Sequence, residues 1–207
     1  MIGIIDYGMG NLRSVANAFS AIGADARVVS TPAALFEAQG IVLPGVGAFG
    51  DGMRNLHERG FVEALEHEVR RGGKPLLGLC LGLQLLAERG SEYGDHRGLG
   101  WISGRVDRLQ PENASLRIPH IGWNDVRIVK PEGLYAGLGE VATFYFVHSF
   151  ALRPSSREVA TGVCDYGGEF VASVAVDNIA ATQFHPEKSH KAGLALLKNW
   201  CGMVDRS

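Results

Sequence analysis

Cys80 stands in Gly78-Leu79-Cys80-Leu81-Gly82, a G-x-C-x-G pattern. This is the cysteine form of the nucleophile elbow, a sharp strand-to-helix turn that holds its central residue exposed in an unusual backbone conformation. The flanking glycines let strand and helix pass closely where a Cβ would collide. Free N–H groups at the start of the helix stabilise a thiolate. The same groups, beginning with that of Leu81, can face an oxyanion on a carbon attacked by Cys80. A cysteine nucleophile also needs a base and a group to orient that base. His185-Pro186-Glu187 supplies both types. Pro186 biases His185 towards extended backbone, where residues i and i+2 point to one side. The Glu187 carboxylate can then accept the second imidazole N–H, fixing its tautomer and supporting the imidazolium. Each pattern has a plainer reading: Cys80 as a small buried thiol in a Leu-rich core, and H-P-E as a surface turn before the last helix. Alone, H-P-E favours the turn. Beside G-x-C-x-G in a parallel sheet it does not.

The elements that must position these residues are legible as apolar runs. Residues 74–79 read as a strand, and residues 81–89 as a helix with Leu81, Leu85 and Leu86 on one side and Gly90 as its stop. Upstream, residues 2–6 form a strand, followed by the turn Tyr7-Gly8-Met9-Gly10-Asn11 and a helix over 12–22. Gly8 and Gly10 invite a dinucleotide-binding reading, but the third glycine of G-x-G-x-x-G falls at Arg13, so that reading fails. Strands follow at 25–29 and 41–43, the latter ending at Pro44-Gly45-Val46-Gly47. Ligands bind at the carboxyl ends of strands in open α/β sheets, and peptides beside Gly45 and Gly47 rotate cheaply, so one N–H could be aimed at a site. A helix over 52–71 turns Met53, Leu56, Phe61, Leu65 and Val69 inward. This alternation predicts a parallel sheet with helices on both faces.

After Gly90 short strand-like runs at 104–109, 125–129, 143–150, 158–163, 170–176 and 179–184 suggest antiparallel β structure added to the same domain. Residues 119–124, Pro-His-Ile-Gly-Trp-Asn, are too rich in turn and aromatic residues for a plain strand, and Trp123 fits either a core or an interface. A last helix spans 189–203. His57, His67, His96 and His190 read as solvated, and His148 as packed or close to the site. The expected class is α/β: a single domain over residues 1–207 with a central, mostly parallel sheet flanked by helices and antiparallel strands in the C-terminal half.

Composition excludes several functions. With 207 residues, 46% of them hydrophobic, the chain can bury a sizeable core. A net charge of −2 argues against nucleic-acid or anionic-membrane binding. No apolar stretch reaches the roughly 18 residues of a membrane span, and the N-terminus lacks the basic start of a signal peptide. Three widely spaced cysteines give neither a disulfide framework nor a zinc site, which points to a reducing cytoplasm; no metal or cofactor is expected.

PGVG, GLCLGLQ and FHPEKS together resemble the class I (triad) glutamine amidotransferases. DYGMGN, PHIGWN and YFVHSF are similar to one branch of that family, the glutaminase subunits of imidazole glycerol phosphate synthase in histidine biosynthesis. The matches run from residue 6 to residue 189, with no departure at the catalytic positions. The resemblance implies Cys80 as nucleophile, His185 as proton carrier and Glu187 as its orienting group. It implies an oxyanion hole from the N–H of Leu81 and one from the Gly45–Gly47 turn, that of Gly47 after a peptide flip. Gln84 and Glu92 would hold the α-amino and α-carboxyl end of glutamine, helped by backbone at Ser149 and Phe150, with Gly45 also at the substrate. A (β/α)8-barrel cyclase subunit that makes imidazole glycerol phosphate and AICAR would be the partner and receive the ammonia. Asn11, Pro119, Trp123, Tyr145 and Lys188 would lie at that interface. Two other readings compete: a sister glutaminase serving anthranilate, aminodeoxychorismate or pyridoxal phosphate synthesis, and a silent redox or scaffold domain using Cys80.

Overall fold

The computed structural model describes residues 1–113 and 115–206. Four short runs, β1 (Ile2–Ile5), β3 (Gly40–Leu43), β4 (Leu76–Leu79) and β13 (Ile179–Thr182), are buried at every position. Unbroken apolar runs of this kind suit strands covered on both faces. With β2 (Ala26–Val29) they form a parallel block in the order β2-β1-β3-β4-β13. The sheet continues through four antiparallel strands, β12 (Glu169–Val176), β11 (Ala160–Asp165), β8 (His120–Ile128) and β9 (Val141–His148). One pairing matters most for the site: β13 runs parallel to β4 with Thr182 opposite Leu79. The two chains therefore leave the sheet side by side at its carboxyl edge.

The helices cover both faces. Helices α1 (Leu12–Ala21) and α5 (His190–Val204) pack Val15, Phe19, Leu196, Leu197 and Trp200 on one side. On the other lie α2 (Phe49–Glu58), α3 (Phe61–Leu65) and α4 (Leu81–Leu85), burying Phe49, Leu56, Phe61 and Leu65. Each fully buried side chain of this size contributes about 1.5–3 kcal/mol relative to exposure. A second, four-stranded sheet, in the order β10-β7-β5-β6, is built from β10 (Phe150–Pro154), β7 (Ile102–Arg108), β5 (Ala87–Gly90) and β6 (His96–Arg97).

Several expected elements differ. The helix after Cys80 stops at Leu85 rather than running to residue 89. The N–H groups of Leu99, Gly100, Trp101 and Ile102 take the carbonyls of Leu85, Leu86 and Ala87, so the chain turns into β5. Gly90 is not a helix stop; a Cβ there would sit 2.5 Å from the Phe49 ring. The helix expected over 52–71 is broken at Gly60, whose φ of 72° is left-handed, and residues Glu66–Arg71 widen into a π-helix. Residues 120–124 belong to a strand after all, because β8 pairs with β9 from His120 to Arg127. The run at 143–150 is divided at Ser149 between two sheets.

Candidate active site

Strand β4 delivers Cys80 with φ 53° and ψ −103°, a conformation open to few residues other than glycine, and α4 starts at the next residue. The elbow is locked from both sides. Cys80 N–H donates to the Thr182 carbonyl on β13 at 2.7 Å, and a Cβ on Gly82 would lie 1.8 Å from the Leu43 carbonyl oxygen. Only hydrogen at position 82 lets α4 cross the end of β3. Strain of this kind persists where surrounding structure enforces it, as at catalytic turns.

Three residues after β13 comes His185. Its N–H donates to the Tyr145 carbonyl at 2.9 Å, and its carbonyl accepts from Ser189 Oγ at 2.6 Å. Its backbone is extended, but Pro186–Lys188 form a 3-10 turn, so it is this turn rather than a continuous strand that brings Glu187 back. His185 Nδ1 donates to Glu187 Oε1 at 2.7 Å, with both side chains 3% exposed. The carboxylate accepts, so Nδ1 carries the proton. Burial alone would push the His185 pKa down. Cys80 and Glu187 outweigh it, and the net value is raised to about 10. His185 Nε2 is buried and makes no hydrogen bond.

Cys80 Sγ is flanked by the Val147 carbonyl at 4.0 Å and by Gln183 Nε2 at 3.7 Å. Gln183 was not foreseen: a lone Gln in the apolar run 179–184 carries no pattern. Its Oε1 accepts from Gln84 Nε2 at 3.2 Å, and the second Gln84 N–H goes to the Phe150 carbonyl at 2.9 Å. Both Gln84 donors are committed. What remains is the Oε1 acceptor, which suits an ammonium group, not a carboxylate.

A cavity of about 400 Å³ opens over Cys80. Gly47, Leu81, Gln84, Glu92, Ser149 and Phe150 line it, together with Val46 and His148. Glu92 Oε2 accepts the Phe49 N–H at 3.0 Å, and partial burial raises its pKa. Gly45 lies behind the cavity wall, against Tyr7 and Leu81. The Leu81 N–H, expected to face an oxyanion, donates instead to the Gly45 carbonyl at 3.3 Å. Gly47 has a φ of 114°, left-handed as a flexible turn requires.

The remaining expected positions fall near this edge. Trp123 is 48% exposed, pairs across strands with Tyr145, and stacks on His190 at 5.0 Å. Lys188 Nζ lies 5.8 Å over the Tyr145 ring. Pro119 lines the cavity mouth, and Asn11 caps α1 by accepting the Ser14 N–H. Of the histidines expected in solvent, His57, His67 and His190 are exposed, the last stacked on Trp123, whereas His96 is half-buried. His148 is both packed and at the cavity. Among the described residues no group of three His, Cys, Asp or Glu side chains is placed to hold a metal, and no helix is long and apolar enough to cross a membrane.

Residues 3–202 match the family described as glutamine amidotransferase class-I. The imidazole glycerol phosphate synthase subunit HisH of Desulfitobacterium hafniense is 50% identical over 200 residues, covering 97% of this chain and 93% of that one. The subunit of the same name from Syntrophotalea carbinolica is 48% identical over 207 residues, covering 98% and 100%. Among solved structures, a glutamine amidotransferase superposes with a TM-score of 0.76 at 22% identity, covering 99% of this chain and 98% of that one. PurLQS from Thermotoga maritima gives 0.77 at 19%, covering 98% of each. At such identities these two structures speak for the fold. The chain belongs to the class-I glutamine amidotransferase family and, within it, groups with the HisH subunits of imidazole glycerol phosphate synthase.

Proposed function

We propose that the chain releases ammonia from glutamine by covalent catalysis on Cys80 and passes it to a (β/α)8-barrel cyclase subunit of imidazole glycerol phosphate synthase. One observation carries the reading: the buried His185–Glu187 pair, bonded at 2.7 Å, follows the strand that lies in register beside the strand ending at Cys80. Sγ of Cys80, its proton held by His185, adds to the side-chain amide carbon of glutamine. His185 Nε2 then gives its proton to the amide nitrogen, the C–N bond breaks, ammonia departs, and a γ-glutamyl thioester remains. Water adds to the thioester carbon as Nε2 takes its proton; the C–S bond breaks and glutamate leaves. Glu187 holds the Nδ1–H tautomer throughout and supports the charged imidazole. Glu92 and the free Oε1 of Gln84 receive the α-ammonium, with backbone at Ser149 and Phe150 at the α-carboxylate.

The oxyanion needs the Leu81 N–H, which the Gly45 carbonyl occupies in this conformation. Rotating the Gly45–Val46 peptide withdraws that carbonyl and turns the Val46 N–H towards the cavity, so Val46 joins Gly47 as a candidate second donor. Losing one such donor costs on the order of 100- to 1000-fold in rate. The turn is therefore a switch of the right size to keep the chain quiet until a partner binds. Asn11, Pro119, Trp123, Tyr145 and Lys188 form the docking edge. Free ammonia is protonated at neutral pH and lost to water, which favours direct delivery. A sister glutaminase for another synthase is the second reading, and the names of the relatives weigh against it.

A glutamine-like electrophile tests the chemistry. It should label Cys80 alone among the three cysteines and abolish glutamate release, and Cys80→Ser should remove both labelling and release. Glutamate release surviving in Cys80→Ser would overturn the assignment.

A further inference from the structure

Tyr7 is buried completely, and its hydroxyl makes no hydrogen bond among the described residues. The rest of the residue is accounted for: its carbonyl accepts from Asn55 Nδ2 at 3.1 Å, and its ring packs in the core shared with Leu43, Leu56 and Leu81. A phenylalanine would fill that space without burying an unpaired polar tip, which carries a real penalty. The hydroxyl does have a neighbour in the turn proposed to rotate. A Cβ built on Gly45 would lie 2.3 Å from the Tyr7 hydroxyl oxygen and 2.8 Å from Leu81 Cβ. The oxygen thus sits against the residue whose carbonyl blocks the Leu81 N–H. Burial above all, with Cys80 adding to it, raises the phenol's pKa, so the hydroxyl keeps its proton and can donate.

We propose that Tyr7 is a positioning residue for the oxyanion turn: its hydroxyl is the donor that receives the Gly45 carbonyl once the Gly45–Val46 peptide has rotated. In the resting turn the Gly45 carbonyl is satisfied by Leu81 and the hydroxyl is orphaned. In the rotated turn the hydroxyl takes over the carbonyl and the Leu81 N–H is released to the substrate. Tyr7 then stabilises only the active state and costs stability in the resting one. The inference rests on the glutaminase reading given above.

Tyr7→Phe tests it in the full chain, alone and with the cyclase subunit and its nucleotide. The partner-stimulated kcat should fall about tenfold, the size of one hydrogen bond, with KM for glutamine held within about twofold. The melting temperature of the isolated variant should equal or exceed that of the wild type, since an orphaned group has been removed. Unchanged stimulated kcat would overturn the proposal. So would a kcat loss accompanied by a lowered melting temperature, which marks a merely structural role. Slower alkylation of Cys80 by iodoacetamide in the isolated variant would also overturn it, by assigning the hydroxyl to the thiol. Wild-type chain that the cyclase fails to stimulate would remove the cyclase-gated reading on which the proposal rests, a failure visible before the variant is assayed.

Discussion

Leu81 and Gly45, 36 positions apart in the chain, are joined by a hydrogen bond of 3.3 Å from the elbow N–H to the turn carbonyl. The bond ties the element that carries Cys80 to the element that faces it, and it uses the donor that the proposed mechanism assigns to the oxyanion. Gly45→Ala should destabilise the chain by about 1–3 kcal/mol, because the new methyl meets Tyr7 and Leu81. Thermal melting would show the loss, and glutaminase assays should find no stimulation. An Ala variant as stable and as active as the wild type would mean that the turn has room to spare.

Gly82→Ala should be worse than Gly78→Ala. A Cβ at 82 would lie 1.8 Å from the Leu43 carbonyl oxygen, whereas at 78 the closest approach is 3.0 Å. The first variant should yield little folded protein, while the second should fold with a lowered midpoint in urea. Equal midpoints would contradict the tight crossing of α4 over β3.

Glu187→Gln keeps the size of the side chain and removes its charge. The rate of glutamate release should fall by on the order of 10² to 10⁴, with the fold intact by circular dichroism. The pair also contributes to stability. The folded His185 pKa lies above the unfolded value, so this contribution is present below about pH 6.5 and is lost as pH rises through about 10. The variant should flatten that alkaline decline. A decline of wild-type size in Glu187→Gln would show that the pair does not cause it.

His120 and His148 shape the acid side. Nδ1 of His148 donates to the Phe150 carbonyl at 2.9 Å, and its Nε2 accepts from His120 Nδ1 at 3.0 Å. Asn124 Nδ2 closes the run on His120 Nε2 at 3.3 Å, so both rings are neutral Nδ1–H tautomers. Burial lowers their pKa values to about 4 for His120 and about 3 for His148. The unfolded chain binds protons at these sites below about pH 6.5, so stability should fall from there towards pH 3. Nitrogen NMR at pH 5 should find both rings neutral. An imidazolium at either position would contradict the arrangement.

Trp123→Ala should weaken binding to the cyclase subunit at least fivefold, as aromatic anchors at interfaces do, with little change in melting temperature. Calorimetric titration would measure it. Wild-type affinity in the variant would move the docking edge elsewhere.

Local patterns disclosed the parts of this molecule that local forces decide. The runs at β1, β3, β4 and β13 are apolar enough to be strands in any context, and the glycines around Cys80 signal close crossing. H-P-E likewise brings His185 to Glu187, but through the 3-10 turn that the Lys188 N–H closes on the His185 carbonyl, not through the extended run its spacing suggests. What the sequence concealed was decided by distant partners. The end of α4 depends on N–H groups of residues 99–102, and β8 persists through residues 120–124 because β9 lies beside it. Gln183 became visible only through its bonds to Cys80 and Gln84. The break at Gly60 is the exception: an isolated glycine inside a helical pattern is a local warning.

Glutamate release measured in three mixtures reads the partner-gated glutaminase reaction itself. The mixtures are this chain alone, the chain with an imidazole glycerol phosphate synthase cyclase subunit, and both with the cyclase's nucleotide substrate. Gating by the oxyanion turn predicts a rate that stays low in the first two and rises by about 100-fold or more in the third, the value of one oxyanion donor. A rate that the cyclase and its nucleotide leave unchanged would contradict it.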